Sequence, residues 1–421
     1  MNRIALAAIS IALVLNMTGY LTVAAILPDL LAKWGLSESE AGWLASWHMG
    51  VYAVAAVLLL PLTDRIDPKK VIIASLFCGA VGGFGFAWLA DGFWSGLAFR
   101  SLVGVAQAGV YMPGLKVIAD SLEGRERSKA TALYSSMVPL GSGLSLLLPS
   151  VLPAIPGWQF LFEITGMAGL AGMALVAASV PKRRSRVFPH LLARNPYTFG
   201  HVLRNRTAMR YVLSYAGHVW ETFGFRAWVV TFLLFSAATG GNGISSGHLT
   251  VFAAVIVIAG MPASILVGNW SVSFALNRVL RLVGISSLCA SILLAAYASV
   301  DFYVVLALSA IYGIIGFADQ GALGSAIVDA AEPDHRGATL AIYTLFGFGS
   351  GMLGAVTCGF VLEMTGGISS ASAWQWLWLT CGGGSLVVTL LLAPKPAFGA
   401  IPAKAAVPIR VPRWPSHRGF V

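Results

Sequence analysis

In a chain of 421 residues, 57% are hydrophobic and only 10% charged, and the mean hydropathy is +0.80. Too little polar surface remains to cover a water-soluble domain of that size, so the sequence is that of a polytopic membrane protein. The formal net charge of +10 would suit nucleic acid, but Lys and Arg also collect in the loops that orient a membrane chain, and that reading is tested first.

The opening run "MNRIALAAISIALVLNMTGYLTVAAILPDL" continues past the apolar core of a signal peptide and ends in no small-residue cleavage site, which predicts an uncleaved first span over 5–28. "SESE" follows, with Ser37 and Glu40 at capping-box spacing before a second span over 40–62. Further apolar segments of spanning length fall at 71–90, 94–118, 130–152, 159–180, 211–236, 248–270, 280–300, 303–328, 339–362 and 373–393. Twelve helices are therefore expected, and the chain is all-α. Cys78, Cys289, Cys358 and Cys381 lie in apolar segments without metal-ligand spacing, which predicts free, buried thiols; no metal and no cofactor is expected. Trp374, Trp376 and Trp378, at the start of the last span, are expected to anchor it at the interface. The Pro-rich tail 394–421 is too polar to span and is expected to be a disordered cytoplasmic end whose basic residues touch anionic lipid.

Of the 27 Lys and Arg residues, Lys33 sits in the first loop and Arg100, Lys116 and Arg226 in spans; the other 23 fall on one side. Loops such as "AATGGNGISSG" on the other side carry none. The positive-inside bias then places both termini and the basic segment 181–210 in the cytoplasm, and the charge reads as topology, with no nucleic-acid partner.

"IADSLEGRERSKATALY" (118–134) aligns without gaps to "IVDAAEPDHRGATLAIY" (327–343) at an offset of 209, with Asp120/Asp329, Glu123/Glu332, Arg127/Arg336 and Tyr134/Tyr343 among six identities. The same offset pairs Gly104 with Gly313 and Gly157 with Gly366. Two copies facing one side of the membrane need an even number of spans each: 1–180 and 211–393 as pseudo-symmetric six-helix bundles, joined by the linker 181–210. Parallel halves of this kind are a transporter architecture with a central site exposed alternately to either side. On these residues the chain resembles the major facilitator superfamily over essentially its whole length apart from the tail.

The resemblance implies roles for particular positions. The family's loop between the second and third helices is matched by "LPLTDRIDPKK" through Asp64, Arg65, Lys69 and Lys70, with Leu60 and Asp67 in place of its glycines. These residues, with Asp120, Glu123, Arg127, Asp329, Glu332 and Arg336 at the cytoplasmic helix ends, are the expected inner gate, closing by pairing with helix termini or with the opposite half. The second half's own loop "NWSVSFALNRVLR" lacks an acid, so the gate is expected to be asymmetric. "RSLVGVAQAG" is similar to the family's R-x-x-x-G through Arg100 and Gly104; Arg100 either faces the interior or snorkels outward. "VPLGSG" fits the exporter signature only through Pro139 and Gly143.

The sharpest signal is "GHVWETFGFR". His218, Glu221 and Arg226 are the strongly ionisable side chains of an apolar run reaching from Tyr211 to Ser236, and an isolated charge at the centre of such a helix costs about 2.5–3.5 kcal/mol. At ~100° per residue, His218 and Glu221 lie about 60° apart and Glu221 and Arg226 about 140°, so all three share an inward half-face but need partners from other helices. Asp319 and Gln320, in "GFADQGALG", are the next intramembrane pair, and Asp319 can neutralise either Arg226 or His218. Asn16, Tyr20 and Gln107 can add hydrogen bonds, to a solute or between helices. Glu163 and Glu363 sit near outer helix ends and read as interfacial.

The expected function is secondary active transport of a small molecule by alternating access, coupled to protons taken up by Glu221 or Asp319 and tilted by Arg100 and Arg226 towards an organic or inorganic anion. Export of cationic or neutral compounds is the alternative, and a non-transporting membrane sensor the alternative of another class. No phosphate loop or reactive His and Cys cluster is present, so neither an ATPase nor another enzyme is expected. The expected setting is a monomer in the lipid of a bacterial inner membrane.

Overall fold

The structure, a computed structural model, describes residues 3–63, 66–151, 157–181, 199–240, 244–332 and 335–394. Helices α1 (Arg3–Met17), α2 (Thr22–Ala25) and α3 (Leu27–Trp34) make up the first span. The next five are α4 (Glu38–Leu62), α5 (Pro68–Leu89), α6 (Phe93–Ala119), α7 (Gly124–Val151) and α8 (Gln159–Ser179). A short α9 (Phe199–Arg204) precedes α10 (Arg206–Thr239), the seventh span, and α11 (Ser246–Ser273) and α12 (Leu276–Ala296) follow. The tenth span is divided into α13 (Phe302–Phe317) and α14 (Gln320–Ala330); α15 (Arg336–Thr365) and α16 (Ala371–Leu391) complete the chain. The predicted linker 181–210 is thus helical over Phe199–Arg204 and from Arg206, with Asn205 extended between them; its residues 182–198, like the tail from 395, lie outside the described residues.

Local chemistry sets the helix ends. Ser37 and Glu40 form the expected capping box: the Ser37 N–H donates to Glu40 Oε2 at 3.0 Å and the Glu40 N–H to Ser37 Oγ at 3.3 Å. Asp67 accepts from the Lys69 N–H at 2.9 Å ahead of Pro68, and Asn205 and Asp301 cap α10 and α13 in the same way. The repeat is visible in the backbone too. Gly157 and Gly366, paired by the offset, both take positive φ, 88° and 120°, which side chains with a Cβ rarely adopt.

Two predicted spans are broken. The first stops at Met17 and resumes at Thr22; the tenth stops at Phe317 and resumes at Gln320. No proline marks either break in the sequence, so the reason is tertiary: partners elsewhere take the freed backbone groups. At the first break the Gly19 and Tyr20 carbonyls accept from Arg100.

The last span also departs from expectation. Trp374 and Trp378 are fully buried, packed on Phe232, while Trp376 is 56% exposed. A spacing of four puts the first two on one face and 376 opposite, so only Trp376 is placed as an interfacial anchor. All four cysteines are free, as expected, but only Cys358 and Cys381 are buried; Cys289 is exposed on the apolar exterior of α12.

The halves interlock on the face away from the basic loops. There the Ser39 N–H donates to Glu363 Oε2 at 3.1 Å, the Ile368 N–H to Glu38 Oε1 at 3.2 Å, and Ser150 and Thr250 share a hydrogen bond of 2.7 Å. Close backbone approach depends on glycine: a Cβ at Gly42 would lie 2.8 Å from the Ala355 carbonyl oxygen, and one at Gly359 would overlap the Glu38 carbonyl. The α4–α15 interface continues to the Tyr52–Phe348 ring contact at mid-depth. Towards the basic face, α6 packs on α1, α4, α5 and α7, all of its own half, and α14 on α10, α11, α12 and α15, all of its own. Gly268 and Gly337, near that face, have open space where a side chain would be.

Candidate functional site

The long, nearly buried α10 carries the three charges, and its neighbours supply their partners. Glu221 is 3% exposed; Ser287 of α12 donates to its Oε1 at 2.9 Å and Ser385 of α16 donates to its Oε2. The approach is close because α16 presents Gly384, where a Cβ would stand 3.1 Å from that of Glu221. Both oxygens are therefore engaged inside the C-terminal half. With Tyr312 and Arg226, Glu221 lines a recess between α10, α11 and α13 that holds no more than a water-sized guest.

His218, one turn earlier, is 2% exposed and faces the break in the tenth span. Its Nδ1 lies 2.6 Å from Asp319 Oδ1 and its Nε2 3.0 Å from Gln320 Oε1. Asp319 and Gln320 thus hold the two ring nitrogens of His218 at the break. Of the two cations that sequence allowed for Asp319, the structure pairs it with His218.

Arg226 is left without that acid. It is 6% exposed, and its guanidinium carbon lies 4.8 Å from the Phe317 ring centroid and 5.3 Å from that of Phe223. Among the described residues no carboxylate lies within ion-pair distance of it. Two ring faces supply cation–π attraction but no compensating charge.

Arg100 has a different surrounding. It is 1% exposed and turned inward rather than snorkelling. Its guanidinium donates to the carbonyls of Leu44, Gly19, Tyr20 and Ala45, and meets His48 Nδ1. Arg100 thus ties the broken first span to α4, with its donors consumed by main chain. Gly104 lets α6 come this close, since a Cβ there would overlap the His48 carbonyl. Tyr20 sets its ring edge to face against His48 at 5.0 Å and against Phe223 of the other half at 6.1 Å. Asn16 and Gln107 are buried, with the Asn16 Nδ2 and both Gln107 amide atoms lacking a partner among the described residues.

Of the expected gate, Asp64 and Arg65 lie outside the described residues. Lys69 donates to the Ala177 carbonyl at 2.8 Å and to that of Val180, closing the end of α8. The terminus it pairs with belongs to its own half, because Pro68 starts α5 directly beneath α8. Asp120 lies 3.9 Å from Lys116 on the same helix. Lys70, Glu123, Arg127, Asp329, Glu332 and Arg336 are exposed. Of the outer acids, Glu163 accepts from Trp88 Nε1 at 2.9 Å and Glu363 takes part in the seal.

Sequence reasoning passed over His48, Ser287, Ser385, Tyr312, Phe223 and Phe317. His48 sits in "LASWHMGVYAV", a polar residue in an apolar run, and carried the same signal as His218. The serines and rings carried none, being common in membrane helices. Among the described residues no group of three or more His, Cys, Asp or Glu side chains is placed to hold a metal ion.

Comparison with known proteins gives the family and the fold. The sequence profile of the Major Facilitator Superfamily matches residues 9–355. Human protein spinster homolog 1 is 24% identical over 264 residues, 59% of this chain and 50% of the relative. The zebrafish (Danio rerio) sphingosine-1-phosphate transporter SPNS2 is 26% identical over 229 residues, 52% of this chain and 45% of the relative. The chain thus spans about half the length of the curated relatives it matches. Among solved structures, a bacterial homologue of the human lysosomal transporter spinster, inward-facing and occupied, superposes with a TM-score of 0.74 at 18% identity, covering 92% of this chain and 94% of that one. A D-xylose–proton symporter gives 0.74 at 13% identity, covering 92% and 96%.

Proposed function

Since this chain belongs to the major facilitator superfamily, we propose that it is a secondary transporter which moves a small anion, organic or inorganic, by alternating access and couples that movement to protons. With the basic loops in the cytoplasm, the interlocked face is the outer one, and the conformation is inward-facing. The observation that carries the anion reading is Arg226: a buried guanidinium at mid-depth, between two rings, with no carboxylate within ion-pair distance among the described residues. Such a charge is costly in a membrane protein unless a counterion visits it, and a transported anion is that counterion. Arg100, which sequence also assigned to the anion, is occupied by four carbonyls and serves as a brace instead. The phosphate in the name of the zebrafish relative's cargo accords with an anionic solute.

Protons enter through two separated carboxyls. Glu221, held by Ser287 and Ser385, can be charged or neutral without losing either contact, since each hydroxyl can donate or accept. The His218–Asp319 pair sits on the break of the tenth span, where a change of protonation alters a contact between α10 and the start of α14. Closure of the basic face would bring Asp120, Glu123 and Arg127 towards Asp329, Glu332 and Arg336, supplying acid and base from each half. The test is counterflow in proteoliposomes over a panel of small carboxylates, phosphates and nitrate. Wild-type protein should show saturable exchange of at least one anion, and Arg226→Gln should lose roughly tenfold or more in apparent affinity. Saturable exchange of cations alone, indifferent to Arg226, would refute the anion reading.

A further inference from the structure

Four aromatic side chains form a continuous chain across the two halves at mid-depth. Tyr20, in the break of the first span, meets Phe223 of α10 at 6.1 Å; Phe223 meets Phe348 of α15 at 6.2 Å; Phe348 meets Tyr52 of α4 at 4.4 Å. The order is N-terminal half, C-terminal half twice, N-terminal half again, so the chain bridges both seams. It also marks the level at which the interlocked side ends, since α4 and α15 are in close glycine-mediated contact from Gly359 to Gly50 and meet through rings at Tyr52 and Phe348. Phe348 is only partly buried. Phe223 belongs to this chain and to the Arg226 site, its centroid being 5.3 Å from the guanidinium carbon. Ring faces and a guanidinium with no carboxylate within ion-pair distance among the described residues thus lie side by side at mid-depth.

We propose that the solute is a planar aromatic acid, its anionic group against Arg226 and its ring stacked on Phe348 or Phe223. This rests on the anion reading above and names its class. Rings prefer rings in offset or edge-to-face geometry over saturated groups of equal area, and a guanidinium held between Phe223 and Phe317 is fixed in position to meet a carboxylate beside them. An aromatic wall also attracts organic cations. Here the Arg226 charge opposes a cation, and the Glu221 carboxyl that would balance it is turned to Ser287 and Ser385.

The test is competition binding to the purified full-length protein with matched probes: benzoate and 1-naphthoate, cyclohexanecarboxylate and octanoate, and benzyltrimethylammonium. Naphthoate should bind roughly tenfold more tightly than cyclohexanecarboxylate. Phe348→Leu should reduce that ratio to within about threefold, and Phe348→Tyr, which keeps the ring, should preserve it. Equal affinity for aromatic and saturated acids, both lost in Arg226→Gln, would overturn the aromatic assignment and leave the anion reading standing. Binding of no acid at all would remove the anion reading, and a preference for benzyltrimethylammonium would overturn both.

Discussion

Two buried arginines illustrate how the same side chain acquires opposite surroundings. Arg100 gives its donors to four carbonyls and an imidazole, whereas Arg226 has two ring faces and, among the described residues, no acid within ion-pair distance. In Arg100→Met the four carbonyls lose their donor, at about 1–3 kcal/mol for each that water does not reach. The expected result is a clear fall in the melting temperature of the purified protein, with Arg100→Lys intermediate because an ammonium has three donors instead of five. Arg226→Met should leave the melting temperature unchanged or raised, since no partner is orphaned. A scan in which both variants melt alike would contradict this division of roles. Glu221→Gln tests coupling: it keeps an acceptor for Ser287 but cannot release a proton, so gradient-driven accumulation should be lost while solute exchange continues in part. Wild-type accumulation in that variant would assign coupling elsewhere, to His218 and Asp319 first. Charges in an apolar run made these positions legible in the sequence. Their partners were not, because Ser287 and Ser385 matter only through the helix crossing that brings them to Glu221.

At the scale of helices, long apolar runs and capping residues revealed the spans and several of their ends, Ser37 and Glu40 down to the hydrogen bonds. The two breaks were hidden because what permits them is remote in sequence: Arg100 stands eighty residues beyond Tyr20, whose carbonyl it takes. Helix packing in the outer seal was hidden for a related reason, since a glycine is informative only once its neighbour is known. Gly42 faces the Ala355 carbonyl, and a side chain there must push α4 and α15 apart. An overpacked contact of this kind costs about 1–3 kcal/mol, enough to shift a balanced two-state equilibrium roughly fivefold to 150-fold. Gly42→Val should therefore move the population towards the outward-facing form. The measurement is labelling of a cysteine introduced at Ser46, within the seal, by an impermeant maleimide added from the outer side in a background lacking Cys289. Labelling should accelerate in Gly42→Val, and an unchanged rate would show that this contact does not hold the seal.

The whole molecule was legible in outline because symmetry leaves a trace in sequence: the offset of 209 that aligns the basic loops also aligns two glycines of positive φ, Gly157 and Gly366. What symmetry does not reveal is which state the halves adopt, as both closures use the same helices. The structure is asymmetric in depth, interlocked from Glu38 and Glu363 down to Tyr52 and Phe348, and packed within each half beyond that level. If the halves rock as units about the central site, spin labels at Arg127 and Arg336 should approach one another when the basic face closes, while labels at Asp91 and Asp301 on the opposite face separate. All four positions are exposed, and a label at Asp301 gives up only the cap on α13. Solute added at acidic pH should raise the short-distance population of the first pair and the long-distance population of the second together, because a ligand shifts the equilibrium only by its differential affinity for the two forms. Movement of one pair without the other would mean that the halves deform rather than rock, and the single-site mechanism would lose its geometric basis.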